Sequence, residues 1–500
     1  MDLTLPLAIL IISAAMLLAN LGNQYLWQDE AQTTLISKTV LAHGVPMGYD
    51  GRNFLSQDLG KDCDANGVWK FDSWLIFYLQ ALFLKVFGFN TFLARLPFAL
   101  FGIATAFLAY YFTRTVWDSR RAGVAAAVIL LLSVPFLLLS RQCRYYSPSM
   151  FFSLLAIASY YGILHERRSA PFTFFLAVTL LFHTHLLFYP SILATVLAHS
   201  FLFARKRFVT VLVLTAATAA INMPFAVWLY PQCAAASTAY GPGLRGLGAL
   251  VIGTQYFSSV ILRHTFVPHA AILFIAFAMV SRIRSKNMQA ASELLVQMMP
   301  LIIFSIVHLL LTIGSLATSG RLPFFRYLCP MLPVIAVMAA LILDRLFGTC
   351  APIACVAMMP FILTMPVKDY LYEITHDFDG PNEGIITYLL SHASRSDVVV
   401  IVGEEMPTKL YTNLRVLGGG TGEDMSAAQE ADWVIVRKYA VTPAYQYVLS
   451  CIQDYIPTQD FEPIILPYPD TQFENREDPD AHQYRTVEDE DPVIIMRRQR

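Results

Sequence analysis

The sequence predicts a polytopic α-helical membrane protein with a long first extracytoplasmic loop and a C-terminal extracytoplasmic α/β domain. Three observations predict it. Of the 500 residues, 56% are hydrophobic and 14% charged, with mean hydropathy +0.52, whereas a soluble chain carries about a quarter charged residues. Several runs reach the roughly 18–20 apolar residues that cross a bilayer. The basic residues of the first two thirds come in compact clusters, and the last third turns acidic.

The apolar runs that can span lie at 5–22, 95–116, 122–140, 149–165, 171–189, 190–204, 208–229, 264–281, 296–314, 328–346 and 350–366, about eleven helices. The first lacks a basic leader and a small-residue cleavage site, so it reads as a span and not as a removed signal peptide. The stretch 74–88 is short and carries Gln80 and Lys85. The positive-inside rule decides its place. If it lies in the interface, Arg120-Arg121, Arg167-Arg168, Arg205-Lys206-Arg207, Arg282/Arg284/Lys286 and Arg345 all face the cytoplasm. Residues 23–94 then form one outer loop with an amphipathic helix resting on the membrane. Residues 1–366 make the membrane domain. The expected localisation is a bacterial plasma (inner) membrane, in keeping with the lack of any Asn-x-Ser/Thr sequon.

The tail, 367–500, alternates strand and helix patterns. Asp397–Val402 and Trp433–Val436 read as buried strands, and Phe461–Leu466 and Val493–Met496 as two more. Helices are expected near 383–394, 405–413 and 442–454, which suggests a partly parallel sheet. Gly418-Gly419-Gly420 reads as a loop, because it lacks the Lys-Ser/Thr of a phosphate cradle.

Net charge is −1, and the basic residues are not interleaved with aromatics on a soluble face, so no nucleic-acid partner is expected. The seven cysteines show neither zinc-site spacing nor a disulfide framework. No nucleophile elbow and no His-Glu-x-x-His is present.

What remains lies on the outer side. Asp29 and Glu30 follow the first span, and two carboxylates at a membrane edge are costly unless used. Either could act as a base on an acceptor hydroxyl, or the pair could be a solvated loop with a capping role. Arg141, Arg144, Tyr145 and Tyr146 sit in the outer turn Ser140–Pro148, and Arg321, Arg326 and Tyr327 repeat the theme before a later span. Arginine forks suit phosphate oxygens. Snorkelling and an aromatic belt are the alternative. His183 and His185 could hydrogen-bond a phosphate or sugar, or ligate metal, though no third ligand is near in sequence. Lys70, among Asp58, Asp62, Asp64 and Asp72, directly precedes the interfacial segment. The stretch Asn475-Arg476-Glu477-Asp478-Pro479 matches no motif.

Trp27-Gln28-Asp29-Glu30, Phe87-Gly88-Phe89-Asn90, Ala94-Arg95-Leu96-Pro97 and Ser140-Arg141-Gln142-Cys143-Arg144-Tyr145 occur in this order. Together they resemble the integral-membrane glycosyltransferases of class C (GT-C), in the branch of protein O-mannosyltransferases and lipid A aminoarabinose transferases. The resemblance implies a polyprenyl-phosphate sugar donor and inverting transfer at the extracytoplasmic face. The acceptor would be a lipid, glycan or protein. It implies an acidic residue that assists catalysis as a candidate general base at Asp29, with Glu30 beside it, and donor-phosphate contacts from Lys70, Arg141 and Arg144. No cofactor is required, and the acidic first loop leaves room for a divalent metal that nothing specifically indicates. The sequence departs from the family pattern where Phe71-Asp72 follows Lys70 and where Tyr146-Ser147 precedes Pro148. A membrane transporter or lipid flippase is the alternative, and it would bury charges near the bilayer midplane in repeated halves.

Overall fold

In the computed structural model the described residues are 4–236, 245–285, 288–320, 322–363, 366–439, 443–471, 476–487 and 491–499. The chain opens with α1 (Thr4–Leu18). A long connection follows, holding α2 (Gln28–His43) and α3 (Leu75–Phe87). The helical body continues through α4 (Thr91–Trp117), α5 (Arg120–Leu132), α6 (Val134–Arg141) and α7 (Tyr146–Leu164). Then come α8 (Ala170–Thr184), α9 (Tyr189–Phe203), α10 (Arg205–Ala236) and α11 (Gly246–His264). It closes with α12 (Val267–Ser285), α13 (Gln289–Ser319), α14 (Met331–Thr349) and α15 (Ala351–Leu363).

Among the described residues, α4, α7, α10, α12, α13 and α14 are each long and apolar enough to cross a bilayer. The chain is an integral multi-pass membrane protein. The pair α5 and α6 makes a seventh span if counted as one, bent by 71° at the break. Pro135 lies in the first turn of α6, where its missing N–H is tolerated. By length and composition, then, six or seven spans stand where the sequence predicts about eleven. Three further predicted runs fall on the shorter apolar helices α1, α8 and α9. α3 occupies the segment expected at 74–88.

Helices α4, α5, α7 and α14 pack at the centre. Small residues let them close up, which suits a setting where packing drives helix association. Gly102 of α4 faces α6, and a Cβ there would stand 2.6 Å from the Cβ of Ser140.

α2 is absent from the sequence-based reading. Its sequence, Gln-Asp-Glu-Ala-Gln-Thr-Thr-Leu-Ile-Ser-Lys-Thr-Val-Leu-Ala-His, has no apolar stripe. The reason is that most of it is enclosed, with Gln28, Glu30, Gln32, Thr33, Thr34 and Ser37 buried and the exposed residues confined to the last turn. Such a helix needs partners for its polar groups. Ser37 Oγ donates to Gln80 Oε1 of α3 (2.9 Å), and Gln80 Nε2 donates to Thr34 Oγ1 (2.9 Å).

The tail begins with α16 (Val367–Glu373) and α17 (Pro381–His392). Then follow β1 (Val398–Val402), α18 (Glu405–Thr412), β2 (Arg415–Leu417), β3 (Trp433–Val436), α19 (Pro443–Tyr455), β4 (Phe461–Pro469) and β5 (Pro492–Arg498). The strands form one sheet in the order β2-β1-β3-β5-β4. β1 pairs in parallel with β2 and β3, while β5 pairs antiparallel with β3 and β4. The short β2 escaped the sequence reading because three residues carry no alternation signal. All seven cysteines are free thiols.

The tail is fastened to the first connection. Asn53 donates from Nδ2 to the Leu414 carbonyl (2.9 Å) and accepts from the Val416 N–H at Oδ1 (2.8 Å). Tyr25 stacks on Tyr411 with centroids 4.3 Å apart. The glycine-rich loop after β2 explains itself here. Gly422 has φ +77°, and a Cβ would lie 2.6 Å from the Leu59 carbonyl oxygen. The run lets the first connection pass at backbone distance.

Candidate functional site

Asp29 and Glu30 occupy the first turn of α2, where the helix dipole favours acidic side chains. One residue apart on a helix, they point in different directions, and their surroundings differ completely.

Glu30 is fully buried. Arg95 of α4 grips it through Nε to Oε1 (2.9 Å) and Nη2 to Oε2 (2.6 Å), and the Cys143 N–H donates to Oε1 (2.8 Å). Arg95 also donates to the carbonyls of Leu21, Gln24 and Tyr25. Both carboxylate oxygens are thus engaged in a bidentate, charge-assisted pair. The second catalytic candidate of the sequence reading becomes a clamp that ties α2 to α4 and to the α6–α7 turn.

Asp29 is only partly buried and faces a different set of groups. Arg326 donates from Nη1 to its Oδ2 (2.8 Å), and Arg144 Nη2 stands 3.7 Å from the same oxygen. Arg144 Nη1 also donates to Thr33 Oγ1 (2.8 Å) and to the Asp29 carbonyl (3.2 Å). Burial alone would raise the Asp29 carboxyl. The charges of Arg144, Arg326 and Arg476, with the Arg326 hydrogen bond, outweigh it and hold the carboxyl below its ordinary value of 3.8. Linkage then has a definite sign. The Asp29 contribution to stability is complete above about pH 4 and is lost as pH falls through the lowered folded value. Unfolding temperatures of wild type and Asp29→Asn should differ near neutrality and converge well below pH 3.8. An unchanged gap at low pH would contradict this.

Of three cavities here, two are lined by this carboxylate and the other is walled by the Arg144 and Arg326 that face it. One, about 580 Å³, lies towards the tail and is lined by Trp27, Asp29, Arg326, Tyr445, Arg476 and Glu477 among others. A second, about 710 Å³, lies among the ends of α8, α10 and α13, with Asp72, Arg144, Tyr145, His185, Arg245 and Tyr327 on its walls. The third, about 350 Å³, shares Asp29, Arg144 and Arg326 with its neighbours and adds Gln57, Asp58 and Asp72.

Several buried donors of wall residues have no hydrogen-bond partner among the described residues: Arg144 Nε, Arg326 Nε and Trp27 Nε1. A buried donor without a partner costs about 1–3 kcal/mol, more when charged. An anionic ligand would satisfy them.

The sequence-selected residues sort themselves by position. Asp29, Arg144, Tyr145, Arg326, Tyr327 and His185 line the cavities. Tyr146 is buried beside Arg326, close enough to feel its charge. Tyr145 stacks against His185 (4.0 Å between centroids), fixing that imidazole. Arg141 does something else. Its Nη1 donates to the Ala19 carbonyl (2.7 Å) and its Nη2 to the Asn20 carbonyl (3.0 Å). It caps the end of α1, where carbonyls lack helical partners. Lys70 pairs with Asp64 (3.0 Å) and lies over the Trp228 ring (4.1 Å), so it braces the loop against α10. His183 packs edge-on against Phe182 and Phe225. Arg321 lies outside the described residues.

The tail supplies groups that sequence reasoning missed. Glu477 Oε1 accepts from the same Arg326 Nη1 (3.2 Å). Arg476 pairs with Glu404 Oε1 (2.9 Å) and covers the Trp27 ring (4.7 Å). Glu404 Oε2 accepts the Gln28 N–H at 3.0 Å, so the tail holds the first turn of α2. His482 anchors the segment, with one ring nitrogen 2.7 Å from Glu373 and the other 2.9 Å from the Arg476 carbonyl.

His264, Asp478 and Asp480 bring ligand-type atoms within 4.8 Å of one another, and Asp478 lines the tail-side cavity. Arg263 Nη1 already stands 2.5 Å from Asp480 Oδ2 and supplies positive charge there. Neither His183 nor His185 belongs to such a group among the described residues.

No family model matches the chain, and no curated protein matches it. Solved structures do. ArnT from Cupriavidus metallidurans in the apo state is similar with a TM-score of 0.57 at 12% identity, over 98% of this chain and 97% of that one. The same protein bound to undecaprenyl phosphate gives 0.54 at 12% identity, over 99% and 98%. The archaeal oligosaccharyltransferase AglB from Archaeoglobus fulgidus, in complex with an inhibitory peptide and a dolichol-phosphate, gives 0.54 at 14% identity, over 94% and 74%. The chain therefore has the fold of the class C membrane glycosyltransferases, from the first helix through the tail.

Proposed function

We propose that this protein transfers a sugar from a polyprenyl-phosphate donor to an acceptor hydroxyl, at the extracytoplasmic face of a membrane and with inversion at C1. The observation that carries the reading is the pair of arginines, Arg144 and Arg326, each with a buried donor lacking a partner among the described residues, that face Asp29 and link the cavities on either side of it. ArnT holding undecaprenyl phosphate and AglB holding dolichol-phosphate on the same fold support it.

In this reading the donor phosphate lies in the cavity among the helix ends, against Arg144 and Arg326. The polyprenyl tail leaves between the helices towards lipid. The acceptor comes from the tail side, past Trp27 and Arg476. Its oxygen attacks C1, the C1–O bond to phosphate breaks, and the hydroxyl proton passes to Asp29. The arginines balance the charge that builds on the leaving phosphate. They also keep Asp29 a weak base while the site is empty. A bound phosphate draws on the same cations, which raises the proton affinity of Asp29 when it is needed. Glu30, Arg95 and Arg141 position the elements and touch neither substrate.

Transport is the rival, and the distribution of charge speaks against it. The buried Asp, Glu, Lys and Arg among the described residues lie in the connection around α2 and α3, at the adjoining ends of α4 and α6, beside α7, or in the tail. None lies in mid-span.

The direct test uses membranes with wild-type or variant protein at matched abundance, a panel of radiolabelled polyprenyl-phosphate sugars, and cell-envelope extract as acceptor. Loss of label from one carrier identifies the donor, and silence across the panel would sink the transferase reading. Truncating Arg144 to Ala in the same assay should lower kcat/KM for the donor by about 30- to 1000-fold, the loss of one desolvated charge contact. An Arg141→Ala protein that folds should keep most of its donor kcat/KM, and equal losses would overturn the division of roles between the two arginines.

A further inference from the structure

At the opposite end of α7 and α14 from Asp29, the helix bundle holds another cavity of about 950 Å³. Its rim carries Arg205, Lys206 and Arg207 from the start of α10 and Arg345 from the end of α14, against one acidic residue, Asp118. Arg207 is taken by an ion pair with Glu166. Among the described residues Arg345 donates a long 3.4 Å hydrogen bond to Gln297 Oε1. Among the described residues no carboxylate pairs with Arg205, Lys206 or Arg345. The other walls are largely apolar, with His165, His199 and Gln297 among them, and Leu202, Phe203 and Val296 are 58%, 56% and 63% exposed. A membrane bundle exposes such side chains to lipid. The groove is therefore cationic at its mouth, greasy in its depth and open sideways to the bilayer.

We infer that this groove binds an anionic phospholipid of the cytoplasmic leaflet, its phosphodiester head on Arg205, Lys206 and Arg345 and its acyl chains along Phe203, Val296 and Pro300. Charge complementarity selects the occupant. The leaflet that faces basic loops is the one carrying anionic headgroups, and basic pockets between helices at that level collect them. Guanidinium forks match phosphodiester oxygens, and the apolar wall distinguishes a lipid from free phosphate. The site is independent of the reaction at Asp29 and lies across the membrane from it.

The test is native mass spectrometry of the full chain in micelles doped with phosphatidylglycerol, phosphatidylcholine, polyprenyl phosphate or inorganic phosphate. One phosphatidylglycerol should be retained per chain, and phosphatidylcholine should not. The triple variant Arg205→Ala, Lys206→Ala, Arg345→Ala should weaken retention by about tenfold or more. A control with Arg168→Ala and Arg282→Ala, exposed charges of the same face outside the groove, should retain it. Val296→Trp fills the groove with every charge in place and should also lose the lipid, so the result does not hang on the triple variant folding. Equal losses in the control would reduce the site to general surface charge and overturn the inference. So would unimpaired binding by Val296→Trp, equal retention of phosphatidylcholine, preferential retention of polyprenyl phosphate, or displacement by inorganic phosphate.

Discussion

Asp29→Asn should lower sugar transfer by about 10²–10⁴-fold, the usual contribution of a positioned general base, with membrane abundance unchanged. The substitution keeps the shape of the side chain and removes its basicity. Arg326 can still donate to the remaining oxygen, so donor binding should survive and the loss should fall on kcat. Donor turnover at saturating polyprenyl-phosphate sugar measures it. A loss confined to KM would assign Asp29 to binding alone. Full activity would remove it from the chemistry.

The neighbouring carboxylate should behave in the opposite way. Glu30→Gln leaves Arg95 buried beside a neutral amide, and breaking a buried pair costs about 3–5 kcal/mol. Arg95→Met should do similar damage from the other side. Detergent-solubilised protein should unfold at a clearly lower temperature in both variants, whereas Asp29→Asn should be much milder. The double variant should be less damaged than the two losses added together, because the second change removes a charge already orphaned. An additive result would mean that the two residues act separately. Together the two experiments separate adjacent acids that look alike in the sequence: one should fail in catalysis, the other in folding.

How far the sequence could be read depends on distance along the chain. The strands at Val398–Val402 and Trp433–Val436 were legible because buried strands are continuous apolar runs. Asp29 was legible because a carboxylate at the end of an apolar run demands a reason. Its division of labour with Glu30 was not, since the partner that decides it, Arg95, lies 65 residues away. Arg141 and Arg144 were equally opaque. They occupy one turn, yet one faces the carbonyls that end α1 and the other faces Asp29. α2 stayed hidden because its buried positions run almost without break from Gln28 to Val40, leaving no apolar stripe to count. Arg476 and Glu477 sit in a stretch with no motif, and only the docking of the tail brings them to the cavity.

That docking also sets a schedule. The Gln28 N–H bonds Glu404, 376 residues later, and Arg326 is shared with Glu477, 151 residues later. The first turn of α2 leaves the ribosome early, but the groups that hold it arrive last. During synthesis Asp29 has neither its tail-side wall nor its full set of arginines. Closing so long a loop is slow, and nothing local can replace it. A nascent chain therefore lacks the assembled cavity around Asp29 until the tail has packed against the first connection.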